Sequence, residues 1–182
     1  MKKEFDPRRL DVKAFAEAAG QVTGEEPIGR HARLMSETAG RGAENLLAWS
    51  AVGELRNPGH VHPDIWLRLQ ARATLPLTCQ RCLAPVDFAV EVDRPFRFVQ
   101  DENVAMAEDD GSEEDLLAFS RSFDLMELIE DELLMDLPVA PRHEVCPEPV
   151  KMAVADEDFE AAPELREHPF AQLGRLKAGK SS

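Results

Sequence analysis

The chain has 182 residues, room for one domain with its own core and a tail, and with 6% aromatics and no Tyr that core must be built from Leu, Val, Ala and Phe. The net charge of −14 is uneven: residues 1–100 carry 14 Lys and Arg against 13 Asp and Glu, residues 101–182 carry 7 against 22. Phosphate binding needs clustered cations, so the acidic half is excluded as a wrapper of nucleic acid, and no DNA partner is expected.

No apolar run approaches the roughly 20 residues that span a bilayer. The opening Met1-Lys2-Lys3-Glu4-Phe5-Asp6-Pro7 lacks the apolar stretch of a signal peptide, so a cytoplasmic location without a membrane partner is expected. Three cysteines cannot all pair within one chain, and a reducing compartment disfavours disulfides.

Asp11 can cap a short Ala-rich helix over 11–19 that stops at Gly20. Gln21 to Ile28 reads as a strand, Gly29 to Ala39 as a second helix with Leu34 and Met35 inward, and Gly40 and Gly42 break the chain. From Glu44 the period falls to two: Leu47, Trp49, Ala51, Gly53 and Leu55 alternate with smaller or polar residues until the turn signal Asn57-Pro58-Gly59. Ile65, Leu67, Leu69, Ala71, Ala73, Leu75 and Leu77 then hold every second place, and Val86, Phe88, Val90, Val92, Phe96 and Phe98 repeat the pattern. Two long antiparallel strands joined by residues 79–85 follow from this.

The acidic run Glu108-Asp109-Asp110-Gly111-Ser112-Glu113-Glu114-Asp115 predicts a flexible loop over about 100–122. Asp124, with Glu127 three places on, opens a helix of about four turns with a stripe of Leu125, Leu128, Ile129, Leu133 and Leu137, closed by Pro138. Glu127, Glu130, Asp131, Glu132 and Asp136 read as its solvated face rather than a catalytic cluster. Residues 147–182 form an acidic, Pro-rich tail, with Pro169, Phe170, Leu173 and Leu176 fit for one or two helical turns. The expected fold is α+β: an antiparallel sheet built around a long hairpin, with a few short helices packed on it, occupying residues 1–146.

Cys79 and Cys82 sit in the link between the two long strands, spaced so that both sulfurs can face one metal ion, and His143 and Cys146 after the capped helix offer an imidazole and a third thiolate. A structural Cys₃His zinc site is one reading of these four. The others are small, half-buried knuckle residues with an exposed His143, or a redox dithiol, although such dithiols normally open a helix and this one leads through Pro85 into a strand. Arg68, Arg72, Arg81, Arg94 and Arg97, with Trp66 nearby, form the one basic, partly aromatic surface available to RNA or a ribosomal protein. An ordinary solvated face with an arginine stem packed over Trp66 is the competing reading. No phosphate-cradling, serine-hydrolase or zinc-protease motif occurs.

Four stretches together resemble the YceD family of large ribosomal RNA subunit accumulation proteins. They are Asp6-Pro7-Arg8-Arg9-Leu10, then Leu77-Thr78-Cys79-Gln80-Arg81-Cys82-Leu83, then Asp124-Leu125 through Leu137-Pro138, Pro141, His143 and Cys146, and last Pro169-Phe170-Ala171 with Leu173, Leu176 and Lys177. The resemblance implies a non-enzymatic ribosome biogenesis factor needed for synthesis, processing or stability of 23S rRNA, with a ribosomal protein or 23S rRNA of the large-subunit precursor as partner. It carries no catalytic residues across. A small zinc-binding or thiol-redox protein using Cys79, Cys82 and Cys146 is the alternative.

Overall fold

The computed structural model describes residues 4–60 and 63–148, and in it the two-residue alternation builds two strands of 15 residues each, β3 (Asp64–Thr78) and β4 (Pro85–Val99). They pair antiparallel from Ile65 opposite Phe98 to Thr78 opposite Pro85. This register sets Leu67, Leu69, Ala71, Ala73, Leu75 and Leu77 on one face with Phe96, Arg94, Val92, Val90, Phe88 and Val86. On the far side of β3, β2 (Leu46–Arg56) pairs antiparallel with it, and β1 (Gln21–Pro27) pairs antiparallel with β2.

Helices cover one face of this sheet. α1 (Val12–Glu17) lies over β2 and β3, and α4 (Leu125–Met135) lies over β3 and β4. Between them Phe15, Leu67, Leu69, Leu75, Phe96, Leu125, Ile129 and Leu133 are fully buried, each contributing roughly 1.5–3 kcal/mol of transfer free energy. α1 comes this close because Gly53 lacks a side chain: a Cβ there would lie 2.9 Å from the Phe15 carbonyl carbon and 3.0 Å from Ala16 Cα. Both expected caps are present. Asp11 accepts from the Ala14 N–H at 3.0 Å, and Asp124 accepts from Met126 and Glu127 at 2.9 and 3.2 Å.

α4 has 11 residues, three turns rather than about four, and Leu137 is half-buried beyond its end. Pro138 pushes the residue before it out of helical dihedrals, which stops the helix short. α2 (Ala32–Glu37) is preceded by one 3₁₀ turn, Ile28–Arg30. The N-terminal strap closes against the start of α4: Leu10 and Phe123 exchange backbone hydrogen bonds at 2.8 and 2.9 Å, and Pro7 accepts from the Leu125 N–H at 2.8 Å.

The acidic stretch over 100–122, expected as a loop, carries α3 (Glu102–Glu108), a 3₁₀ turn (Asp109–Gly111) and β5 (Asp115–Ala118). Asp101 caps α3 by accepting from the Val104 N–H at 3.0 Å. The helix supplies the crossover that lets β5 run parallel to β4, Phe96 opposite Asp115 through Val99 opposite Ala118. The five-stranded sheet, in order β1-β2-β3-β4-β5, is therefore mixed rather than wholly antiparallel. α3 buries no residue, so it leaves no apolar stripe in the sequence.

Among the described residues no helix is long and apolar enough to cross a membrane. The tail expected over 147–182, with its Phe170, Leu173 and Leu176 motif, lies outside the described residues apart from 147 and 148.

Candidate metal centre

The link between β3 and β4 is a six-residue knuckle, and its backbone folds back on itself: the Cys79 N–H donates to the Ala84 carbonyl at 3.0 Å and the Leu83 N–H to the Cys79 carbonyl at 2.9 Å. Arg41, from the loop after α2, braces its base by donating to Thr78 Oγ1 at 2.7 Å and to the Pro76 carbonyl at 3.3 Å. On the other side the chain leaving α4 is drawn in, because the Gln80 N–H donates to the Pro141 carbonyl at 2.8 Å. That bond helps to set the segment carrying His143 and Cys146 against the knuckle.

The result brings together all four residues named from the sequence. One donor atom from each of Cys79, Cys82, His143 and Cys146 lies within 4.8 Å of the others, with Cys79 buried and the remaining three half-buried. A tetrahedral shell with metal–sulfur bonds of about 2.3 Å sets sulfurs about 3.8 Å apart, so the cluster has the right scale. His143 Nδ1 lies 3.4 Å from Cys82 Sγ, and its Nε2 lies 3.0 Å from the Pro85 carbonyl oxygen. A carbonyl only accepts, so Nε2 carries the hydrogen and the Nδ1 lone pair faces the thiols. An imidazole locked in this tautomer is how a histidine is prepared for a metal.

The electrostatics favour thiolate at Cys79. Burial pushes the Cys79 thiol up, but the backbone N–H groups of Cys82, His143 and Arg81 draw it down, to about 5. Burial raises the Cys146 thiol, and the neighbouring Cys82 and Cys79 sulfurs raise it further, since another negative charge there is unfavourable. Crowded sulfurs that resist simultaneous ionisation are stabilised together by a divalent cation. The soft N/S₃ set fits zinc, which would act as a Lewis-acidic tie between the two chain segments.

Leu83, after the second cysteine of the knuckle, has φ 61°, the left-handed region in which a non-glycine residue costs about 1–2 kcal/mol. Its side chain is 73% exposed. The conformation serves the knuckle turn, which the Leu83 N–H closes on the Cys79 carbonyl and which glycine would make without strain.

A model of the family described as Large ribosomal RNA subunit accumulation protein YceD matches residues 67–177. The chain belongs to the YceD family. The match takes in β3 from Leu67 onward, the knuckle, β4, α3, β5, α4 and all four members of the Cys₃His cluster, while α1, β1, α2 and β2 precede it. No solved structure matches the chain.

Of the expected basic surface, Trp66, Arg68, Arg72 and Arg97 share the outer face of the sheet. Arg68 forms a two-pronged ion pair with Asp93, both contacts 2.8 Å, and Arg68 in turn holds the Asp93 carboxyl below its usual range. Arg72 is exposed opposite Glu91 in the β3–β4 register, and Arg81 stands on the knuckle. Trp66 is on the outer face as expected but buried, with the Arg56 guanidinium 3.8 Å from its ring centroid. Arg97 pairs with Glu108 of α3 at 2.9 Å. Arg94 departs from the sequence reading: it faces the core side of the sheet, opposite Leu69, and reaches Glu132 at 3.4 Å and Asp115 at 3.7 Å.

The carboxylates of α4 also divide. Glu132, expected on the solvated face, is 6% exposed, and burial raises its pKa against the opposing pull of Arg94. Glu130 Oε1 accepts from the Arg33 and Leu34 N–H groups at 2.8 and 3.2 Å, so it caps α2 from another helix, and the Arg33 side chain also bonds Asp131. Glu127 and Asp136 stay exposed. Sequence reasoning missed Gln80, Pro85 and Pro141, which act through backbone atoms that any residue type supplies.

Proposed function

We propose that this chain supports accumulation of 23S rRNA in the cytoplasm by binding a large-subunit ribosomal precursor, without catalysis, and that a structural zinc ion on Cys79, Cys82, His143 and Cys146 fixes the binding body. The observation that carries this reading is the Cys₃His cluster closing within the segment matched by the family model. Four protein ligands complete a tetrahedral shell and leave no open position for a substrate, the pattern of a structural rather than a catalytic zinc. The stretch from Asp101 to Asp136 holds fourteen carboxylates and one arginine, Arg121. Such a surface suits basic ribosomal proteins, because complementary charge speeds encounter and keeps them from unproductive contacts with RNA.

A thiol-redox role draws on one observation, the lowered Cys79 thiol. That sulfur is fully buried, whereas reactive cysteines are accessible to their substrate. Deletion of the gene, with complementation by wild type and by Cys79→Ser, tests the proposal. Total 23S rRNA should fall on deletion, return with wild type and fail to return with the serine variant. Unchanged 23S rRNA in the deletion strain would overturn the binding role. Full complementation by Cys79→Ser would remove the metal from it.

A further inference from the structure

The knuckle presents an apolar tip that the fold does not need. Leu83 adjoins Cys82 and is 73% exposed; Val145 adjoins Cys146 and is 85% exposed; Val139, two residues before the Pro141 that binds Gln80, is fully exposed. Leu83 holds a positive φ that glycine would hold without strain, so its side chain is displayed at a conformational cost. Exposed aliphatic groups next to two members of a four-residue ligand cluster are the kind of surface that a partner covers.

We infer that this tip is a docking surface for a basic protein, which inserts an apolar side chain between Leu83 and Val145 while its Lys and Arg residues face the acidic flank running along α4. Among the described residues no aromatic ring is exposed at the tip, so these residues offer no stacking platform of the kind that holds unpaired bases. Met135, the last residue of α4, is also 69% exposed. Arg33 takes up Glu130 and Asp131 and Arg94 meets the buried Glu132, so the carboxylates left exposed for a partner are Glu127 and Asp136 on α4 and Glu144 beside Val145. Arg81 and Arg142 stand nearer the knuckle and would exclude partners that are basic throughout, which gives the contact an orientation. Fixing the knuckle with metal places the three aliphatic groups before the partner arrives, which lowers the ordering cost of binding.

The inference rests on the binding role proposed above, and two measurements separate their failures. In the first, a photo-crosslinking amino acid replaces Leu83 in the full chain in cells, with the exposed Gln21 of β1 as control position. Adducts at 83 and not at 21, mapped by mass spectrometry to a Lys/Arg-rich protein segment, are expected. RNA adducts, adducts between two copies of the chain, or no excess over position 21 would overturn the docking surface. In the second, Leu83→Gly relieves the strained φ and keeps the ligands, so the variant should melt no lower than wild type and retain its metal. It should still leave 23S rRNA at least twofold below the wild-type level. Full complementation by Leu83→Gly, where deletion itself lowers 23S rRNA, would remove the docking surface and leave the binding role standing. If deletion does not lower 23S rRNA, the binding role fails, and crosslinking alone decides the surface.

Discussion

His143 bridges the two segments of the centre, Nδ1 3.4 Å from Cys82 Sγ and Nε2 3.0 Å from the Pro85 carbonyl oxygen. One ring thus reads both the knuckle and the strand that leaves it. Protein purified without chelator is expected to contain one zinc per chain by elemental analysis. Cys79→Ser and Cys146→Ser should each lose it, with the larger fall in stability at buried Cys79. Because the sheet and helices have a core of their own, metal loss should lower the melting temperature by about 10 °C, on the order of 3–4 kcal/mol, rather than unfold the chain. Metal-free wild type with unaltered melting in both serine variants would return the cysteines to ordinary knuckle residues.

The contact between α2 and α4 makes a second expectation. Glu130 Oε1 takes the Arg33 and Leu34 N–H groups at 2.8 and 3.2 Å, two donors that no residue at the start of α2 caps, since His31 makes no side-chain cap there. Glu130→Ala should cost about 1–2 kcal/mol in urea denaturation, and Glu130→Gln, which keeps an acceptor, less than half of that. Equal losses in the two variants would assign the contribution to charge pairing with Arg33 instead of capping.

How far the sequence carried these conclusions depends on which contacts are local. The β3–β4 hairpin was legible because both strands are half-buried and repeat every two residues. Arg94 breaks that repeat, and its place on the core face makes sense only once Glu132 of α4 is known to meet it at 3.4 Å. Cys79 and Cys82 were visible as a spacing, yet their meeting with His143 and Cys146 draws on bonds to the Pro141 and Pro85 carbonyls, backbone contacts that leave no mark on residue type. Trp66 could be assigned to the outer face, but its cover comes from Arg56 on the neighbouring strand, a matter of register. α3 and β5 were hidden by their charge: Leu116, Leu117 and Ala118 are half-buried within a stretch whose carboxylates dominate any hydropathy reading.

The same outer face yields a prediction about RNA. Arg68 is held by Asp93, Arg97 by Glu108 and Arg56 by Glu54, so few cations remain to neutralise phosphate. Arg72→Glu is expected to leave 23S rRNA accumulation unchanged, and the wild-type chain should show weak RNA binding in mobility shifts at moderate salt. Tight binding that falls steeply with salt, with a shallower slope in Arg72→Glu, would make this face the RNA contact after all. Arg56→Ala offers an internal check on the geometry. It should uncover Trp66 and shift tryptophan emission to longer wavelength, because Arg56 lies over that ring.

Glu132 gives the pH dependence its sign. Burial raises its pKa in the folded chain, and Asp115 and Asp131 add to that against the pull of Arg94. Between the unfolded value of 4.5 and the raised folded value, the native state binds more protons than the unfolded one, so stability falls as pH rises through that window. The carboxyl therefore favours folding most when protonated, and its ionised form is a net burden at neutral pH, with Oε2 making no hydrogen bond. Glu132→Gln removes the titration while keeping the shape. Its stability relative to wild type should climb between pH 4 and pH 7, measured by urea denaturation at several pH values. A constant difference across that range, or one that declines, would mean that Arg94, which is 42% exposed but 3.4 Å away, compensates the buried charge in full.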